Sequence, residues 1–158
     1  MKLILKTLII LILVSCDSLS KDEKLIKDRE KLTKELKNMV ELDQKGRLFI
    51  TELKKKQLDS NLIKFKRDSF WSKQIIIDNN NVKRLIEITN TYGFPNVDRL
   101  QSPVPAWLIF QHTPEEYKEE VSDLLIEEHK SGRMPTMEYN MIKWHLTGRK
   151  GSPFSFTE

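Results

Sequence analysis

From Lys21 onward the chain sets apolar residues at helical intervals into a charged background: Leu25, Leu32, Leu36, Met39 and Val40 share one side. Glu23 with Lys27 and Glu30 with Lys34 are i,i+4 pairs in the favourable order. This pattern predicts a charged amphipathic helix from about Lys21 to Lys45. Its apolar stripe is narrow, which suits packing on one side or a coiled-coil-like stalk, although clean heptads are not sustained. A single cysteine, Cys16, stands in the whole chain, so no intramolecular disulfide can form and the fold must rest on packing.

The remaining pattern is also helical. Gly46 weakens the first helix, and Leu48, Phe49, Leu53, Leu58, Leu62 and Phe65 resume a looser rhythm that predicts a second helix or a continuation. Between Phe70 and Tyr92, the β-branched run at 75–77 suits a strand and Asp78 to Asn81 a turn. Trp71, Ile75, Asp78, Val82, Leu85, Thr89 and Tyr92 nevertheless keep one helical track, ending at Gly93 as a left-handed cap before Pro95. Ser102-Pro103 is expected to open a helix carrying Ala106 to His112. Thr113-Pro114-Glu115-Glu116 reads as a capping box ahead of Tyr117, Val121, Leu124 and Leu125, and the helix should stop at Ser131-Gly132. A last helix is expected from about Thr136 to His145, followed by a small C-terminal β hairpin or extended tail through Phe154 and Phe156. The expected architecture is a mainly α, single helical domain over residues 24–158.

The first residues are of another kind. Lys2 and Lys6 supply a short basic region, and Leu3 to Val14 an apolar run too short, at roughly 18 Å as a helix, for a ~30 Å hydrocarbon core. Leu13-Val14-Ser15-Cys16 resembles the lipobox of bacterial lipoproteins. The resemblance implies a signal peptide over residues 1–15, a diacylglyceryl thioether on Cys16, cleavage just before it, and usually palmitate or another acyl chain on the new amine. One chain attaches weakly, whereas two or three make a stable anchor. Residues 16–23 would then be an acylated cysteine and a polar tether. The implied location is the cell envelope, facing the periplasm or the exterior, with the membrane as partner through the lipid at Cys16.

Removing fifteen of the 158 residues leaves 143, enough for one domain with a core. Lys2 and Lys6 leave with the signal, so the net charge falls from +4 to +2. Basic and acidic residues are interleaved, which gives no ground for a nucleic-acid partner. His112, His129 and His145 lie far apart in sequence without HExxH or paired cysteines, and the glycines are scattered, so neither a metal nor a phosphate-cradling cofactor is expected.

Three groups of residues can carry chemistry. Asp43-Gln44 with Arg47 places a carboxylate four residues before a guanidinium. Gly93-Phe94-Pro95 joins a helix stop to an aromatic. Ala106-Trp107-Leu108-Ile109-Phe110-Gln111-His112 ends an apolar helix in an amide and an imidazole. Together they resemble an uncharacterised bacterial family with Asp-Gln-x-x-Arg, Gly-Trp-Pro and Ala-Trp-Leu-x-x-Gln-His elements, often behind a lipoprotein signal. Phe94 replaces the family tryptophan. Trp144-His145 and Ser155-Phe156-Thr157-Glu158 stand where the family has Asp-Arg and Tyr-Gly-Thr-Gln.

The resemblance implies a fold and a site location, with no activity attached. Candidate binding residues are therefore Asp43, Gln44, Arg47, Trp107, Gln111 and His112, for a protein or small-molecule ligand. His112 with Asp43 is the candidate catalytic pair, with the imidazole as general base and the carboxylate as its orienter. The competing reading makes His112 a core histidine tying helices in register, and with no visible nucleophile that reading is favoured. The leading reading is a binding or interaction module; the alternatives are a hydrolase-like enzyme using His112 with Asp43 and, next, a structural envelope protein acting through the first helix.

Overall fold

The computed structural model describes residues 19–55 and 60–154. Cys16, with the signal and lipobox, lies outside the described residues, as do Leu58 and Phe156. Among the described residues five helices form the body: α1 (Lys21–Lys55), α2 (Ser60–Tyr92), α3 (Trp107–Gln111), α4 (Lys118–Lys130), preceded by a 3-10 turn (Glu115–Tyr117), and α5 (Thr136–Leu146). None is long and apolar enough to cross a membrane.

A capping box starts α1. Ser20 Oγ accepts from the Glu23 N–H at 3.3 Å, and the Glu23 carboxylate accepts from the Ser20 N–H at 2.8 Å. Helix α1 thus begins at Lys21, where the periodicity predicts it, and overlaps the last residues of the stretch read as a tether. The stripe Leu25, Leu32, Leu36 and Met39 is buried against Val82, Leu85, Ile86 and Ile88 of α2, which removes it as a surface for a partner helix.

The two long helices run antiparallel. Arg84 pairs with Glu35, Asn81 donates to the Met39 carbonyl at 3.1 Å, and Arg47 pairs with Asp78. Asn81 therefore bonds to the neighbouring helix rather than making a turn, and α2 is continuous across 78–81. Gly46, expected to weaken α1, lies inside it. A Cβ there would overlap the Phe70 ring and Gln74 Oε1, so the close approach of α2 requires glycine.

The shorter helices close over one end of this hairpin. Gly93 takes a φ of 74° and caps α2, so that the buried Phe94 stacks on Phe110 of α3 at 6.1 Å between ring centroids. Trp107 packs against the same core. Helix α3 begins only at Trp107 and not near Pro103, with Ala106 as its N-cap. Nor does the expected capping box form at Thr113: its hydroxyl donates to the Phe110 carbonyl at 2.7 Å, and the chain takes a 3-10 turn before α4.

The C-terminal β hairpin is corrected as well, because no strand occurs among the described residues. Gly148, Arg149 and Gly151 all have positive φ, which folds the chain back onto the end of α5, where the Arg149 N–H donates to the Trp144 carbonyl at 2.8 Å.

Glu128 of α4, fully buried, ties three segments together. It accepts from Arg133 at 2.6 and 2.8 Å, from the Phe94 N–H at 2.8 Å and from Lys21 at 2.9 Å. Burial alone would raise its pKa, but these donors outweigh it and hold the carboxyl at about 2. A folded-state value below the unfolded one stabilises the fold above the unfolded pKa. That stability is lost as pH falls from about 4.5 toward 2, and amounts to about 3 kcal/mol. Glu128→Gln should therefore be less stable at neutral pH by about that amount, with a flatter stability profile between pH 5 and 2, as measured by denaturant unfolding across pH.

Candidate functional site

The site lies where α1, α2 and α3 meet. Helix periodicity puts Asp43 and Arg47 one turn apart on α1, Gln74 and Asp78 one turn apart on the facing side of α2, and His112 at the C-terminal end of α3. Asp43 is 1% exposed. Its Oδ1 receives His112 Nδ1 at 3.0 Å and Arg47 Nη2 at 3.4 Å, and its Oδ2 receives the Gln44 amide at 2.6 Å. Arg47 turns mainly to Asp78, reaching both carboxylate oxygens at 2.7 Å. Gln74, also fully buried, donates to Asp78 at 2.7 Å and to the Asp43 carbonyl at 3.4 Å.

The two carboxylates respond differently to this setting. Burial acts to raise the Asp43 pKa, but the hydrogen bond and charge of His112, then Arg47, outweigh it and hold the carboxyl below the usual range. For Asp78 burial wins: its pKa is raised despite donation from Gln74 and Arg47, with repulsion from Asp43 adding to the shift. An ionised carboxylate only accepts, so His112 Nδ1 carries a proton in its bond to Asp43 and Nε2 is the ring atom left for another group.

That ring lines an open cleft of about 430 Å³ together with Arg47, Asp78, Gln111, Lys118, His145 and Arg149. His145 is held to about 4, first by burial and then by the charges of Arg149 and His112, against a smaller opposing contribution from the Gln111 backbone. It is therefore neutral at pH 7 and accepts from Arg149 Nη2 at 3.3 Å. Arg149 itself has a φ of 61°, a left-handed conformation uncommon for a side-chain-bearing residue. Among the described residues no group of three or more His, Cys, Asp or Glu could hold a metal ion.

Of the sequence-derived candidates, Asp43, Arg47, Gln111 and His112 come together. Gln44 reaches the network through Asp43 Oδ2, and Trp107, partly buried, packs against the core. Asp78, Gln74, Lys118, His145 and Arg149 were not anticipated. Asp78 lies on the helical track read from Trp71 to Tyr92, the one signal that could have pointed to it. No protein-family model, curated protein or solved structure matches the chain.

Breaking a buried ion pair by removing one partner costs about 3–5 kcal/mol. Arg47→Met leaves the buried Asp43 and the partly buried Asp78 without their shared cation and should lower stability by about 3 kcal/mol. His112→Gln keeps a donor for Asp43 and should cost less than about 1.5 kcal/mol. Urea unfolding of the two variants measures the difference.

Proposed function

We propose that this chain is a lipid-anchored bacterial envelope protein whose helical body binds a small polar ligand in the cleft above His112. One observation carries the site: the 3.0 Å bond from His112 Nδ1 to the buried Asp43 carboxylate, which holds the imidazole with Nε2 left for a ligand. The Leu-Val-Ser-Cys run ending at Cys16 supports the anchor. The likeness of Asp43, Gln44, Arg47, Gln111 and His112 to the uncharacterised family points to the same surface.

A second reading is hydrolysis. A carboxylate-oriented imidazole with an open Nε2 is the arrangement of a general base, and water in the cleft could serve as the nucleophile. Among the described residues lining the cleft, the Thr113 hydroxyl is engaged by the Phe110 carbonyl and the Lys118 ammonium by Glu115, so neither stands ready as a nucleophile beside His112. Binding is therefore the reading the geometry favours.

Labelled palmitate should enter the wild-type protein and membrane fraction and be lost in Cys16→Ser; an unlabelled, soluble wild type would remove the anchor. For the site, a screen of small polar compounds read by imidazole nitrogen shifts should yield ligands that lose about tenfold affinity or more in His112→Gln with folding intact. A variant that unfolds with no separable binding defect would make His112 a scaffold residue.

A further inference from the structure

The distal part of the α1–α2 hairpin, away from the short helices, differs from the rest of the molecule. Between residues 48 and 77 the buried side chains among those described are Ile50, Leu53 and Gln74. Leu48, Phe49, Phe65, Trp71, Ile75 and Ile76 are exposed, Phe65 at 72%. Single exposed apolar residues are ordinary, but such a concentration on one part of a surface marks a contact. Phe49, Phe65 and Phe70 line a groove of about 360 Å³ with Lys66, Ser69 and Lys73.

Charge narrows the partner. Residues 48–55 and 60–77 carry six basic side chains against two acidic ones, a balance of +4 equal to that of the entire chain. Both acids are engaged, Glu52 by Lys55 at 2.7 Å and Asp68 by Arg67 at 3.5 Å. Lys66 and Lys73 are two helical turns apart beside the phenyl rings, about 10 Å along the axis.

We propose that this hairpin tip docks on an anionic lipid bilayer, with the phenyl rings at the acyl boundary and the lysines at the headgroup phosphates. Apolar rings flanked by long basic side chains suit an interfacial segment, since lysine can bury its stem while its ammonium stays at the polar level. A second copy of the chain is disfavoured because it would set +4 against +4, and lysine is depleted in protein interfaces. The contact stands independently of acylation at Cys16. Where both operate, α1, about 52 Å long, lies along the membrane rather than standing upright on it.

The test uses the full-length chain carrying Cys16→Ser, mixed with neutral phosphatidylcholine vesicles or with vesicles containing about 30% phosphatidylglycerol, where each lysine near the surface is worth roughly a fivefold change. Binding should depend on the anionic lipid and fall at high salt. Lys66→Glu with Lys73→Glu should weaken it at least about tenfold, and Phe65→Ser several-fold, with the N-terminal segment common to all variants. A Phe65→Trp variant should be quenched by brominated acyl chains. Equal binding to neutral and anionic vesicles, or binding unaffected by these substitutions, overturns the proposal. So does a vesicle-free dimer in sedimentation that Phe65→Ser dissolves.

Discussion

A carboxylate removed from water must be compensated, and Asp43, buried where three helices meet, imposes that demand on the candidate site. Its position inside the α1–α2–α3 junction is tolerable because a guanidinium, an imidazole and a side-chain amide converge on its two oxygens. Each donor has its own structural reason for being there. Arg47 follows from the pitch of α1, Gln44 is the neighbouring residue, and His112 is delivered by the end of α3. Neutralising this charge therefore orients the imidazole. Scaffold and candidate site are one network, and the cleft exists because the network stops at the His112 ring.

The same hairpin has two unlike ends. At one, α3, α4 and α5 cover the apolar stripe, and Glu128 gathers Lys21, Arg133 and the Phe94 N–H into a strap. At the other, the helices run on past their cover and leave phenyl rings and lysines in solvent. Burying apolar area is worth about 25 cal/mol per Å², so an extension that leaves such area exposed gains little for folding. Its retention is economical only if the surface meets something.

Helices were legible where periodicity was strong. The Leu25 to Met39 stripe, the track to Tyr92, the cap at Gly93 and the last helix at Thr136 all occur. What escaped depended on contacts between distant residues. Gly46 reads as a weak point until Phe70 and Gln74 are seen against it. Thr113 and Glu116 have the spacing of a capping box, but the Phe110 carbonyl captures the hydroxyl first. The alternating Phe154 and Phe156 suggested a strand, whereas Arg149 with positive φ turns the chain back on α5. At the site, Asp43 and Arg47 were legible as an i,i+4 pair and His112 as the polar end of an apolar helix. Asp78, Lys118, His145 and Arg149 come from three further stretches of chain that only packing brings to one cleft.

The tautomer of His112 tests the central claim most directly. Nitrogen-15 NMR of the imidazole above the pH at which it loses its second proton should find the remaining proton on Nδ1, with a downfield resonance from the bond to Asp43 that shifts in Asp43→Asn. A proton on Nε2, or an Nδ1 signal indifferent to Asp43, would contradict the account.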